Sequence, residues 1–485
     1  MRRALLHGAG GCLLASLLVS LAVAAPRMKV KVVVDDLATS ELRVSIRIEG
    51  NEDSTLRLRG VPTYVDNPLA EARGEVVRDL GVWSGGDSLV ARPEQAEDGE
   101  SLWIVRGAGD EVLIQYTLHV DYVAGEKARN YPIHIPAMDP TRAWLTGNHV
   151  FVTPGFGADR VGDLLTPLQI DLSFSLADSL ELFGPPSSVR FENLLQLLSL
   201  QFGVGEFELT QVELEGSQIS AAVISNGPEE LRPAEAKVLV SAVSGMLGQC
   251  LDLFGGAPFP AVNLYTFRSN GIGGLEGAFA CQAYLPPSVD LTDRRAEKVR
   301  TFLAVVCHEL VHTWIPIGLF AVEDPWFKEG VTSYYGFVLT ARAGWIGPAE
   351  TDRLFSGYGD QVFGEVELEA VSLSDPRIWY EEYSSESWRR LTYDRGHAVA
   401  LLLDVHLRSE TSNRKCLDDV MRLLYANHAG GSFTRGDLLA SIEAATGVDS
   451  RGFFARYVDQ TAAPTVREVD EAQRRAIKFG AYERE

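Results

Sequence analysis

The chain has 485 residues, 46% hydrophobic and 23% charged. That balance fits a globular protein of several domains and excludes a disordered or low-complexity chain. With 44 basic against 66 acidic residues the net charge is −22, which excludes nucleic acid and anionic membrane surfaces as natural partners.

Residues 1–24 open with Arg2 and Arg3. The apolar run "CLLASLLVSLAVA" follows, and the small residues Ala22 and Ala24 stand just before Pro26. This is the order of a secretory signal peptide cleaved after Ala24; the alternative is an uncleaved N-terminal anchor. The run is short for a membrane span, Cys12 stands at its start rather than after it and so argues against a lipoprotein anchor, and no stable span is expected after cleavage. Export to the periplasm or the medium is the expectation. Cleavage leaves 42 basic residues and a net charge of −24. It also leaves Cys250, Cys281, Cys307 and Cys416, none in a close pair or a CxxC, so buried free thiols are expected rather than a disulfide framework.

Residues 25–222 read as strands. "MKVKVVVDD", "ELRVSIRIEG" and "LQIDLSFSL" alternate apolar and polar residues with turn residues between them, which predicts an antiparallel β-sandwich. The pattern then changes. "RPAEAKVLVSAVSGMLGQCLDLFG" (232–255) has helical spacing and ends at glycine; "AVNLYTF" is a short strand; "GIGGLEGAFACQAYLPP" is a glycine-rich turn leading into another strand. A long helix follows in "TDRRAEKVRTFLAVVCHELVHTWIP", with Thr292 as its cap and Pro316 as its end. A second helix lies in "EDPWFKEGVTSYYGFVLTARAG", with Asp324 as cap and Pro325 in the first turn. From about 350 to 460 the pattern is helical. The resulting fold class is α+β and multidomain, with units at 25–222, 223–348 and 349–485.

The chemistry concentrates in "HELVH". His308 and His312 stand four apart and so project from one helical face, where two neutral imidazoles can ligate one zinc ion. Glu309 is out of line with that pair but beside it, placed to take a proton from a water held there. The apolar stripe of Val299, Phe302, Leu303 and Val306 sets the motif inside an amphipathic helix. The competing reading is a pair of core histidines bonded to backbone. A catalytic zinc site needs a third protein ligand. The candidates are Glu323, Asp324 and Glu329, and Glu329 is favoured because it lies within the next helix, which can pack antiparallel to the first.

"HELVHTW" followed by "WFKEGVTSYYG" resembles the gluzincin metallopeptidases, most closely the glycyl aminopeptidase family. "YDRGHAVALLLDVHLRSETSNRKCLDDVMRLLY" and "GIGGLEG" extend the likeness over roughly residues 225–460. The resemblance implies a thermolysin-like α/β catalytic domain between the β-sandwich and a C-terminal helical domain. It places His308, His312 and Glu329 as zinc ligands and Glu309 as general base. Tyr393 matches the tyrosine that steadies the oxyanion. Glu276 matches the glutamate near the substrate's free amine, and Gly273 and Gly274 would let the backbone run beside the peptide like an extra strand. It also implies a secreted zinc aminopeptidase acting on peptides, with Gly or Ala preferred as the first residue.

Three departures bear on that expectation. Only 16 residues separate His312 from Glu329, so the connecting loop must be trimmed. Gly277 stands where the aminopeptidase pattern usually has a larger polar residue, which keeps a zinc endopeptidase on the same scaffold open. Glycyl aminopeptidases commonly carry a C-terminal PDZ domain, and the roughly 25 charged residues after the helical part are too few for one. A catalytically inactive peptide-binding relative is the remaining alternative; Glu309 and Tyr393 argue against it, because a purely structural zinc site needs neither.

Overall fold

The computed structural model describes residues 26–60, 77–95, 101–119, 137–138, 140–155, 160–214, 216–348, 350–351, 371–381 and 386–483. The predicted signal peptide, residues 1–24, lies outside them.

The first part of the chain is built from three sheets. The largest has seven strands and contains β1 (Arg27–Val34), β2 (Glu41–Glu49), β3 (Glu111–His119) and, further along the chain, Gln169–Leu176. Period two does what it predicts: Met28, Val30, Val32 and Val34 are buried, and so are Leu42, Val44, Ile46 and Ile48 opposite them. One pairing departs from the antiparallel expectation, because β1 and Gln169–Leu176 run parallel, with Val32 beside Phe174. A parallel pair needs a long crossover, and the chain between Val34 and Gln169 supplies it. Two four-stranded sheets share the same apolar core. One of them holds β4 (Arg142–Thr146), the following β5 (the Gln169–Leu176 strand) belongs to the large sheet, and β6 (Gln201–Gly205) pairs antiparallel with β4.

A five-stranded sheet comes next, built from β7 (Glu208–Val212), β8 (Ala221–Ser225), β9 (Asn263–Arg268), β10 (Gly273–Leu275) and β11 (Ala280–Leu285). Its order is β7-β8-β9-β11-β10, so it takes strands from both sides of residue 222. The three inner strands are parallel and β10 is an antiparallel edge. Helix α1 (Pro233–Phe254) begins at a proline and stops at Gly255, whose φ of 76° is left-handed backbone that suits glycine. By length and composition α1 alone among the described helices could cross a membrane, but Leu239, Val243, Met246, Leu247 and Phe254 are buried in the core.

Helix α2 (Glu297–His312) starts later than the sequence predicts. Thr292 does not cap it, because its N–H and hydroxyl both donate to Asp290 in a local turn that competes with helix. A short strand, β12 (Leu319–Ala321), leads into α3 (Trp326–Arg342). Asp324 is not a side-chain cap for α3: it accepts from the Trp326 indole and pairs with Arg435. Glu329 lies by His312 and Gly336 by Ala304, so α2 and α3 run antiparallel. Behind them stand α4 (Gly396–Glu410), α5 (Leu417–His428), β13 (Gly431–Phe433), which pairs with β12, and α6 (Val466–Lys478). The charged C-terminal stretch is thus largely helical, with Val469, Ala472 and Ala476 of α6 buried. Cys250, Cys281, Cys307 and Cys416 are buried free thiols.

Candidate metal centre

Three atoms from two helices converge. The Nε2 atoms of His308 and His312 on α2 are 2.9 Å apart, and each is 3.3 Å from Glu329 Oε2 on α3. Four-residue spacing on one helix brings the rings together, at 4.5 Å between centroids. Close helix packing brings in the carboxylate: a Cβ at Gly336 would stand 3.1 Å from His308 Cβ, tighter than ordinary contact. The trimmed loop between the helices therefore does not keep Glu329 away.

Second contacts orient these groups. His312 Nδ1 lies 2.7 Å from the Ile315 carbonyl, which can only accept, so Nδ1 carries a proton and, in the neutral ring, Nε2 presents the lone pair. His308 Nδ1 is 3.4 Å from the Ser333 hydroxyl. Burial, reinforced by the charge of His312, pushes the His308 imidazole down toward its neutral, ligating form. Burial pushes His312 down as well, but Glu329, Glu276 and Glu309 outweigh it and carry His312 up to about 9. The pocket is thus strongly anionic and favours positive charge at the point where the three atoms meet.

These residues fit a zinc ion. Donors about 2.0–2.1 Å from a tetrahedral ion stand about 3.3 Å from one another, and the three separations here are 2.9, 3.3 and 3.3 Å. Two imidazoles and a carboxylate are a donor set that zinc accepts at catalytic sites.

Glu309 is buried beside the cluster, and its Oε2 has no hydrogen-bond partner among the described residues. Burial pushes its carboxyl well up, with Glu276 and Glu329 adding to the effect; a cation at the cluster draws it back toward the basic form. Edge strand β10 passes directly over it. A Cβ at Gly274 would lie 2.3 Å from Glu309 Cγ, so only glycine allows the strand this close. At Gly273 a Cβ would meet the Tyr284 hydroxyl at 2.3 Å. Glu276 follows, with a carboxylate oxygen within 4.8 Å of ligand-type atoms of Glu309 and His312. Tyr393 sits in a π-helical turn, Leu391–Arg395, with its ring 5.8 Å from that of His308 and nearly parallel to it. That turn reaches the site because α3 and α4 cross at two glycines: a Cβ at Gly330 would lie 2.6 Å from the Gly396 backbone. The structure therefore brings His308, Glu309, His312, Glu329, Glu276, Gly273, Gly274 and Tyr393 to one place. Glu323 does not join them; it accepts from the Arg435 backbone N–H.

Two residues of this neighbourhood were not predicted. Gln201 of β6 is fully buried and donates to the carbonyls of Leu275 (3.2 Å) and Glu276 (2.7 Å), holding the end of β10 and the residue after it from the β-rich part of the chain. It also explains Gly277, where a Cβ would meet the Ala280 carbonyl at 2.1 Å and Gln201 Cγ at 2.6 Å. No local pattern marks a glutamine so distant in sequence. Lys328 places its Nζ 2.9 Å from Glu329 Oε1 and 3.3 Å from Glu276 Oε1. Its signal was a lysine set directly before the candidate ligand at the start of a largely buried helix.

No protein-family model matches the chain, and no curated relative matches it. Solved structures do. An aminopeptidase N family protein from Idiomarina loihiensis is 17% identical, with a TM-score of 0.67 over 92% of this chain and 78% of its own. The M1 zinc metallopeptidase from Deinococcus radiodurans, solved as a mutant with the substrate Tyr-Ser-Ala bound, is 14% identical, with a TM-score of 0.59 over 91% of this chain and 96% of its own. A two-domain M1 zinc metallopeptidase, solved as a mutant bound to L-arginine, gives a TM-score of 0.55 at 13% identity, over 91% and 95% of the two chains. At this level of identity the likeness is one of architecture: the chain has the multidomain α+β fold of the M1 zinc metallopeptidases and aminopeptidases.

Proposed function

We propose that the chain is an exported, zinc-dependent aminopeptidase of the gluzincin type, removing N-terminal residues from peptides, small ones such as Gly or Ala first. A β-sandwich, a thermolysin-like catalytic unit and a helical unit at 25–222, 223–348 and 349–485 form its working parts. The observation that carries this reading is the convergence of His308 Nε2, His312 Nε2 and Glu329 Oε2 within 3.3 Å, beside a buried carboxylate with an oxygen to spare. The fold shared with zinc aminopeptidases supports it, as do neighbours solved with a peptide or an amino acid bound.

His308, His312 and Glu329 would hold the ion. Zinc, when bound, supplies a Lewis acid that lowers the pKa of a water to about 7. Glu309 takes a proton from the attacking water and returns it to the departing amine. The Tyr393 hydroxyl donates to the carbonyl oxygen as it gains charge. The outer edge of β10 aligns an extended peptide through backbone hydrogen bonds, and Glu276 faces its N-terminus.

Incubating the zinc-loaded protein with a peptide mixture, with and without chelator, should yield products shortened from the N-terminus in the zinc sample alone, read by mass spectrometry. Glu309→Gln should retain one zinc per chain and lose on the order of 10²–10⁴-fold in turnover. Unchanged peptides in the zinc-loaded sample overturn the proposal.

A further inference from the structure

We infer that Lys328 sets substrate specificity: its ammonium competes with the substrate's N-terminal ammonium for Glu276 and so weakens the demand for a free N-terminus. This rests on the peptidase reading and refines what its site accepts.

The position of Lys328 is built in. It occupies the first turn of α3, directly before Glu329, with its side chain only 12% exposed. Its Nζ bridges Glu329 Oε1 at 2.9 Å and Glu276 Oε1 at 3.3 Å. Because Glu329 turns its other oxygen toward the two imidazoles, a metal held there leaves the lysine contact in place. The backbone that carries Glu276 is held in place, since Gln201 donates to the Glu276 and Leu275 carbonyls. A substrate ammonium pairing with Glu276 therefore arrives within a few ångströms of a fixed ammonium, where like charges repel.

The charge balance points the same way. Glu276, Glu309 and Glu329 bring three carboxylates to the cluster, all of them ionised once a cation draws Glu309 to its basic form. A divalent ion alone would leave one of them unbalanced, a net attraction for a cationic N-terminus. Lys328 cancels it. The site is then close to neutral and discriminates less between a free and a blocked peptide end.

The test compares Ala-Ala-Ala with N-acetyl-Ala-Ala-Ala. The readout is the ratio of their kcat/KM values in the wild type, Lys328→Gln and Lys328→Arg, with zinc content measured for each. The ratio should rise about tenfold in Lys328→Gln, chiefly through a lower KM for the free peptide, and stay near the wild-type value in Lys328→Arg, which keeps the charge. Calorimetric binding of both peptides in a Glu309→Gln background should show the same widening without turnover. A lysine that only orients Glu329 changes both peptides together, so an unchanged or falling ratio in zinc-loaded Lys328→Gln overturns the inference and leaves the peptidase reading intact. Should that variant lose zinc or fail to fold, Glu276→Gln decides: a change of less than about threefold in the ratio supports prior neutralisation by Lys328, and a collapse of about tenfold or more overturns it. Wild-type protein that neither binds nor cuts either peptide sinks both proposals.

Discussion

Glu235 and Glu309 are both buried carboxylates on helices, and their surroundings are opposite in character. Glu235 sits in the first turn of α1, where the helix dipole favours negative charge. Its Oε1 accepts from Arg268 at 2.8 Å and from the Leu291 N–H at 3.2 Å; its Oε2 accepts from the Arg232 Nε at 3.0 Å and the Arg232 N–H at 3.2 Å. Arg268 in turn donates to the carbonyls of Glu230, Pro286 and Val289. That cluster is complete, and it ties α1 to the end of β9 and to the segment before α2. The cluster around Glu309 has three carboxylates, one lysine and two imidazoles, and a carboxylate oxygen left over. One cluster holds the fold together; the other lacks the positive charge and the donors that would complete it, which is how a site built for a cation differs from a structural ion pair.

The sharpest way to break this contrast is to remove a convergent donor from the second cluster alone. His312→Ala should reduce bound zinc from one equivalent to near none, measured by atomic absorption. Peptide hydrolysis should fall on the order of a thousandfold or more, because the acidified water goes with the ion. Stoichiometric zinc in that variant would mean that the three converging atoms are a packing arrangement.

The complementary change acts on the first cluster. Arg268→Leu leaves Glu235 buried beside one half-exposed arginine, and breaking a buried pair in this way costs about 3–5 kcal/mol. The urea midpoint should drop accordingly, while zinc per folded molecule stays at one. If zinc content falls in step with stability, the two clusters are not independent and the comparison fails.

What could be read from the sequence follows how local each cause is. The strands at 27–34 and 41–49 were legible because one buried face imposes alternation, and His308, Glu309 and His312 because helical geometry fixes their relation within five residues. Local rules failed where a distant group intervened. Thr292 and Asp324 have cap chemistry, but Asp290 claims the first, and Trp326 and Arg435 claim the second. Gly273–Leu275 reads as a turn by composition. Its glycines are there because Glu309 and Tyr284 stand against the strand, and that closeness exists only after α2 docks. Gln201 was illegible for the same reason, since its hydrogen bonds join segments more than seventy residues apart. Lys328 was in plain view beside Glu329, yet its meaning depends on Glu276 arriving from another element.

The smallest effect concerns acid. Burial pulls the Glu235 carboxyl up, but Arg232, Arg268 and the Leu291 N–H outweigh it and hold it at about 2, against an ordinary 4.5. A depressed folded value means that this group's contribution to stability is fully present above pH 4.5 and is lost as pH falls toward 2. Between those limits the unfolded chain takes up a proton that the folded chain refuses, which adds a slope of at most about 1.4 kcal/mol per pH unit. Urea unfolding of the wild type and of Glu235→Gln from pH 6 to 2.5 should therefore show a wild-type advantage that is constant down to about 4.5 and then shrinks. Added salt should reduce the share that comes from the half-exposed Arg232 and spare the share that comes from Arg268, which is largely buried. An advantage that grows on acidification would mean that Glu235 is already neutral in the folded protein, and the completeness assigned to its cluster would be lost.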